Sequence, residues 1–368
     1  MRILVTGANG FIGKNFCVHL QEKKSYTLLK YTRENSFDSL KSLVERSHFI
    51  IHLAGENRPK KISDYKNVNT DFTAKLSKLI EQTGRLIPVI FASSIQSDLN
   101  SSYGKSKLEA EKILEALHKK TGNPIAIYRL PNVFGKWCKP NYNSVVATFC
   151  NNIANNLPIL INDKSTNIRL IYIDDLIASF FDYINSNCSG LIRPEISSEY
   201  QTNLGELAEL LYSFHKSREN LETLDVGSGF NRAMHATYLS YIKPKKFAYN
   251  LPSYKDDRGS FLEILKTKNS GQFSFFTAFP GITRGGHYHH TKTEKFLVLK
   301  GTALFKFRNI ITNETYELIA TDNELKVIET IPGWAHNITN TGSEEMIVML
   351  WANEVFDREY PDTISTHV

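Results

Sequence analysis

Tyr103 and Lys107 stand at i and i+4, a spacing that puts a phenol and an ammonium on one face of a helix. Hydride transfer to a ketone needs a proton donor beside the carbonyl oxygen. A phenol can serve when a neighbouring ammonium lowers its pKa. Ser94, just after the strand-like run Pro88–Ala92, can hydrogen-bond the same oxygen, with Ser93 and Ser97 as alternatives for that role. A second group of reactive residues lies far downstream: His287, His289, Glu294 and His336. Two imidazoles at i and i+2 project from one face of a strand. With a carboxylate and a third imidazole they can coordinate a divalent metal. Zinc, manganese, nickel and iron are all open, and this nitrogen-rich set favours zinc. The plain alternative is a histidine-rich strand edge without function.

The first chemistry needs a hydride source, and the N-terminus offers a place for one. Gly7-x-x-Gly10-x-x-Gly13 follows the apolar run Arg2–Val5 and opens a helical pattern that extends to Leu20. Glycines there let the backbone turn sharply and approach a pyrophosphate, which then sits on the helix N-terminus. Asn9, Phe11 and Ile12 lie between those glycines and belong to the same expected cofactor cradle. The next strand-like run ends at Thr32-Arg33. An acidic residue at that point would bind the adenosine ribose, whereas an arginine accommodates a 2′-phosphate, so Arg33 favours NADPH over NADH.

These residues must be carried by elements, and the pattern of elements changes once along the chain. Strand-like runs at Tyr26–Tyr31, Phe49–Leu53, Pro88–Ala92 and Ile125–Leu130 alternate with helical patterns such as Asp71–Gln82 and Ser106–His118. Such alternation predicts an α/β fold with a Rossmann-type, doubly wound parallel sheet. From about Tyr249 short strands take over: Phe261–Leu265, Phe273–Phe279, Glu294–Leu299, Thr302–Arg308, Lys326–Ile328 and Met346–Trp351. Turns at Lys268–Gly271 and Ile311–Glu314 separate some of them, and the texture predicts an all-β barrel or jelly roll. The expected domains are 1–245 and 246–368, with Tyr241–Pro252 as the linker.

The bulk properties fit this division. The 368 residues suffice for two cores, and 41% hydrophobic with 22% charged residues is ordinary for a globular protein. The four cysteines are scattered, as expected for reduced thiols in a cytoplasm. No secretion signal and no membrane-length apolar run is read. The net charge of +6 is dispersed, which argues against a nucleic-acid partner and suits a diphosphate-bearing small molecule.

The GxxGxxG spacing after Thr6, with Ser94, Tyr103 and Lys107, resembles the extended short-chain dehydrogenase/reductase family over roughly residues 1–240. The resemblance implies that Ala54 and Gly55, in His52-Leu53-Ala54-Gly55, line the adenine side. It also implies that Tyr103 and Lys107 touch the cofactor, and that Arg129–Gly135 and Arg169–Asp175 flank a nucleotide-sugar pocket. His287, His289, Glu294, Gly301 and His336 follow the two cupin motifs. Asp256–Glu263 and Thr283–Tyr288 are similar to deoxythymidine-diphospho-sugar 3,5-epimerases. That likeness implies diphosphate binding by Arg258 and Arg284 and makes His287 a base rather than a ligand.

The fusion as a whole resembles bifunctional enzymes of bacterial capsular polysaccharide synthesis. The resemblance implies C3 epimerisation of a UDP-4-keto-6-deoxy-N-acetylhexosamine by the cupin. NADPH reduction of its C4 ketone would follow, giving UDP-N-acetyl-6-deoxy-L-talosamine on the route to UDP-N-acetyl-L-fucosamine. A homodimer is expected. A reductase whose cupin serves only dimerisation or ligand binding is the alternative, and a cofactor-binding redox sensor without catalysis is disfavoured by Tyr103 and Lys107.

Overall fold

The computed structural model describes residues 1–368 apart from Lys60, 252–253, 257–258, 262–264, 266–270 and 355–358. The chain forms two compact units, Met1–Ser144 with Ile168–Gln201, and Val145–Asn167 with Thr202–Val368.

In the first unit, strands β1 (Arg2–Thr6), β2 (Thr27–Tyr31), β3 (Phe49–His52), β4 (Val89–Ser94), β5 (Ile125–Leu130) and β8 (Leu191–Ile192) make one sheet in the order β2-β1-β3-β4-β5-β8. Every pairing in it is parallel. Ile3, Leu4, Val5, Ile50, Ile51, Val89, Ile90, Ile125 and Ile127 are buried, as a sheet covered on both faces requires. Helices α1 (Phe11–Gln21), α2 (Phe37–Arg46), the short α3 (Ser63–Tyr65), α4 (Phe72–Gln82), α5 (Ser102–Thr121) and α7 (Ile173–Asn185) accompany it. A π-helical segment, Lys66–Asp71, leads into α4. Strand order reverses at β1, so ligands are expected beyond the carboxyl ends of β1 and β3. A three-stranded sheet of β6 (Asn132–Phe134), β7 (Asn167–Tyr172) and β9 (Glu199–Asn203) lies outside the main one.

The second unit holds α6 (Val145–Ala154), α8 (Leu204–Asn220), α9 (Gly229–Leu239) and the strand-rich remainder. Asn203 caps α8 in a reciprocal capping box with Glu206. Strands β10 (Ala248–Asn250), β13 (Gln272–Ala278), β15 (Glu294–Lys300), β18 (Lys326–Glu329) and β20 (Met346–Ala352) form a sheet in the order β10-β18-β15-β20-β13. A second sheet runs β17-β16-β19-β14-β21, from β14 (Thr283–Tyr288), β16 (Thr302–Asn309), β17 (Thr315–Thr321), β19 (Trp334–Asn340) and β21 (Ile364–Ser365). β11 (Tyr254–Asp256) and β12 (Gly259–Phe261) pair separately. The core of this unit includes Phe296, Phe305, Phe307, Val327, Trp334 and Trp351, all buried.

Three expectations need adjusting. The stretch read as a linker carries an edge strand, because Ala248–Asn250 pairs antiparallel with β18. Strand β17 lies where no strand is predicted, and β14 and β19, expected only around their histidines, extend over Thr283–Tyr288 and Trp334–Asn340, with His289 just past the end of β14 rather than on it. The expected strand Phe261–Leu265 and turn Lys268–Gly271 fall largely outside the described residues, whereas Asn313 makes the β16–β17 turn with a left-handed φ of 58°.

Candidate active site and metal centre

Gly7, directly after β1, has φ +70°, and a Cβ there would come within 2.7 Å of the Ala54 backbone nitrogen. A Cβ on Gly13 would come within 2.2 Å of the Gly7 carbonyl oxygen, so this glycine lets α1 seat on the loop. Gly10 is the N-cap of α1 and supplies no side-chain cap. The first N–H groups of that helix are therefore disposed to meet an anion. The cradle fits a dinucleotide pyrophosphate. Arg33 is largely exposed at 79% and pairs with Glu56 at 2.7 Å. Glu56 also accepts a hydrogen bond from the Tyr142 hydroxyl at 2.8 Å.

Ser94, Tyr103 and Lys107 converge beyond the carboxyl end of β4. Ser101 caps α5 by accepting the Gly104 N–H at 3.0 Å, which starts the helix one turn before Lys107. Tyr103 hydrogen-bonds Ser94, and burial holds its phenol above the ordinary pKa while that bond pulls the other way. Lys107 is fully buried, donates to the Ala92 carbonyl at 2.8 Å and lies against Gly55, whose added Cβ would be 3.2 Å from Nζ. Burial lowers Lys107 to about 8, with the Glu111 carboxylate opposing the shift.

The expected acidification of Tyr103 by Lys107 is thus not the dominant influence in this arrangement; burial is. A phenol that stays protonated is a competent acid for a nascent alkoxide.

The serine alternatives separate clearly. Ser93 donates to Glu111 at 2.5 Å, Ser97 is buried with no hydrogen-bond partner among the described residues, and Ser94 faces Tyr103. Glu111 was not foreseen. It sits at i+4 from Lys107, accepts from Arg129 at 2.7–3.2 Å and is fully buried. Asn69 was also missed: it donates to Ser106 on α5 at 2.9 Å and accepts the Glu56 N–H at 2.7 Å. A cavity of about 390 Å³ lies between the two segments expected to flank the substrate, lined by Arg129, Pro131, Arg169, Arg193, Glu195 and Glu199. Its volume is in the range of small-molecule pockets.

In the second unit, His287 on β14 lies directly opposite His336 on β19, beside a bulge between Gly285 and His287. Bulges of this kind re-aim side chains at functional sites. His289 follows in the turn, and Glu294 opens β15 in the other sheet. The ligand atoms of all four lie within 4.8 Å of one another. Burial, then the neighbouring imidazoles, lowers His287 to about 3, and burial lowers His336 against the pull of Glu294. Burial opposes ionisation of Glu294, yet the close His289 and His336 rings hold it well below the usual range.

One detail tests whether a cation fits. His289 Nδ1 meets the Asp362 backbone carbonyl, which can only accept, so Nδ1 carries the proton. In the neutral ring, Nε2 then presents a lone pair to Glu294 Oε2 at 3.2 Å. Two acceptors face each other, and a cation between them, or a second ring proton, resolves the conflict. The four residues fit a divalent metal. Arg284 lies over Phe276 at 5.3 Å; Phe276 packs on Phe296 at 6.4 Å, which meets His336 at 6.1 Å. Arg258 lies outside the described residues.

Outward from the same strand, Lys295 is buried and contacts Glu329 at 2.7 Å and the Tyr249 hydroxyl at 2.8 Å. Arg218 of α8 reaches the other Glu329 oxygen at 3.0 Å.

Fold and sites together define a nicotinamide-dependent Rossmann-type reductase joined to a cupin-like β-sandwich. Residues 3–190 match the NAD dependent epimerase/dehydratase family, and residues 254–364 match the polysaccharide biosynthesis C-terminal domain. The chain belongs to the NAD dependent epimerase/dehydratase family. It is 51% identical to the UDP-2-acetamido-2,6-beta-L-arabino-hexul-4-ose reductase of Pseudomonas aeruginosa, over 100% of this chain and 99% of that one. The capsular polysaccharide assembling protein CapF of Staphylococcus aureus superposes with a TM-score of 0.68 at 37% identity, with 100% of both chains covered. A UDP-glucuronic acid 4-epimerase of Bacillus cereus in complex with NAD shares the fold alone, with a TM-score of 0.52 at 22% identity over 58% of this chain and 83% of that one.

Proposed function

We propose that this chain is a bifunctional enzyme of capsular polysaccharide synthesis acting on a UDP-linked 4-keto-6-deoxy-N-acetylhexosamine. Residues 246–368 epimerise C3, and residues 1–245 reduce the C4 ketone to UDP-N-acetyl-6-deoxy-L-talosamine, a route to UDP-N-acetyl-L-fucosamine. The observation that carries the reductase half is the convergence of Ser94, Tyr103 and Lys107 beyond the sheet's carboxyl edge. The full-length relationship to a UDP-sugar 4-ulose reductase supports the substrate class.

Gly7, Asn9, Gly10, Phe11, Ile12, Gly13, Ala54 and Gly55 hold the dinucleotide, with Arg33 turning from Glu56 to a 2′-phosphate. NADPH, when bound, supplies the hydride. Ser94 orients the ketone oxygen, Tyr103 gives that oxygen its proton, and buried Lys107 places a positive charge beside it. In the cupin, His287, His289, Glu294 and His336 hold a divalent metal, most simply zinc, while Arg284 and Arg258 meet the diphosphate. The metal supplies Lewis acidity that eases loss of the C3 proton next to the ketone.

The working form is a cytoplasmic homodimer. The outer position of β17 in its sheet, with Ile319 exposed, supports an association surface. No helix among the described residues is long and apolar enough to cross a membrane.

The test is product structure by NMR from the UDP-4-keto sugar in deuterated water. Deuterium at C3 without NADPH and a reduced C4 with it are expected. Reduction without C3 exchange would favour a cupin that only dimerises or binds ligand. Exchange without metal in the protein would make His287 the base.

A further inference from the structure

We infer that Asp362 is the positioning residue of the cupin centre, holding His289 in the tautomer and place that a metal requires. This rests on the metal reading above. Asp362 lies far along the chain from the ligands, yet one residue serves the site twice. Its backbone carbonyl accepts the His289 Nδ1–H. Its carboxylate accepts three successive backbone N–H groups, from His290 at 2.8 Å, Thr291 at 2.6 Å and Lys292 at 2.7 Å, and the Thr291 hydroxyl at 3.0 Å.

Three consecutive amides closing on one carboxylate form a concave anion nest. Here the anion is supplied by the chain itself. The nest fixes the turn that carries His289 and Glu294 at its two ends. Beyond it, Thr363 accepts from the Lys292 ammonium at 2.6 Å, β21 pairs with β14 at His287 and Tyr288, and Thr366 N–H reaches the Gly286 carbonyl at 2.9 Å. The segment from Asp362 to Thr366 is thus laid along both histidine-bearing stretches.

The chemical consequence is specific. With Nδ1–H committed to a carbonyl, Nε2 is the ligand atom and points at Glu294. Were the nest lost and that carbonyl free to move away, the ring could take the other tautomer, donate Nε2–H to Glu294 and present no lone pair to a metal. Outer partners of ligating histidines typically change metal affinity 10- to 100-fold.

The experiment uses the full-length protein, demetallated and titrated with zinc against a chelator. Asp362→Ala keeps the backbone carbonyl but removes the carboxylate that pins it beside His289, and should weaken zinc binding roughly 10- to 100-fold. In nitrogen-15 NMR of the metal-free protein, His289 should change from the Nδ1–H tautomer to a mixture. Asp362→Asn keeps one acceptor oxygen for the nest and should recover part of the affinity, which guards against a variant that simply fails to fold. A visible spectrum of the cobalt(II) form reads the coordination directly and should differ between wild type and Asp362→Ala. Unchanged zinc affinity with an unchanged His289 tautomer would overturn the inference alone. Wild-type protein that binds no zinc at all would overturn the metal reading with it. A lowered melting temperature with affinity and tautomer intact would assign Asp362 a purely structural part and overturn its positioning role.

Discussion

Glu329 offers a sharp test of how the cupin sheet is held. Its carboxylate is buried between two cations, Lys295 at 2.7 Å and Arg218 at 3.0 Å, with Tyr249 also on Lys295. Glu329→Gln keeps the shape and removes the charge, leaving two buried cations that repel. Breaking a buried pair in this way costs about 3–5 kcal/mol. An independent route gives a similar figure. Burial would raise Glu329, but Arg218 and Lys295 overcome it and lower it from 4.5 to about 2. At 1.36 kcal/mol per unit that is about 3 kcal/mol of stability.

Because the folded value lies below the unfolded one, this stability is complete above about pH 4.5 and is lost as pH falls towards 2. Thermal unfolding followed by circular dichroism at pH 7 should show Glu329→Gln melting on the order of 10 °C lower. The gap should narrow as both proteins are taken from pH 5 towards pH 3. The apolar triple replacement Arg218→Met, Lys295→Met, Glu329→Leu should be neutral or stabilising, because desolvation of all three charges disappears. A loss below about 1 kcal/mol in Glu329→Gln, or a gap that does not depend on pH, would refute the argument.

Tyr103→Phe should lower NADPH oxidation by a factor on the order of 10²–10⁴ while leaving cofactor binding by fluorescence titration near normal. NADPH oxidation should also fall as pH rises through about 8, where Lys107 loses its proton. Glu111→Gln removes the charge that supports that proton and should move this limb of the pH–rate profile to lower pH. Arg33→Asp should shift preference from NADPH towards NADH on the order of tenfold, read as the ratio of kcat/KM values. His336→Ala should lose zinc by elemental analysis and lose C3 exchange, yet keep C4 reduction on a substrate already in the right C3 configuration.

Local patterns carried the reading where the chemistry is local. Gly7, Gly10 and Gly13 lie within one turn and its helix, and Tyr103 and Lys107 within one helix, so their spacing states their geometry. The choice among serines did not follow from spacing. Ser93 and Ser94 are neighbours at the end of β4, and only the packing of α5 decides that Ser93 meets Glu111 and Ser94 meets Tyr103. Glu111 was within reach, since i+4 from a lysine at a buried site is a visible signal. The extent of β14 and the existence of β17 hid for different reasons. β14 is interrupted by Gly285 and Gly286 with positive φ and a bulge, and β17 alternates exposed and half-buried residues with only Ala320 buried, so it has no strong apolar face. Asp362 gave no signal, because its partners lie 70–73 residues earlier and are mostly backbone amides.

The contact of Arg218 with Glu329 has a bearing on inheritance. One family match ends at residue 190 and the next begins at 254, so α8 and α9 belong to neither. Yet α8 supplies a charge to the sandwich core, and the Asn353 side chain donates to the Val226 carbonyl at 3.3 Å. A gene fusion that joined only the two recognisable pieces would have delivered a sandwich in which Glu329 faces one cation instead of two and Lys295 lacks its Tyr249 partner. The piece that travels must include the intervening helices. Transplanting this cupin onto another reductase should therefore be attempted from residue 202 onward, with Val145–Asn167 carried along as the remainder of the same compact unit.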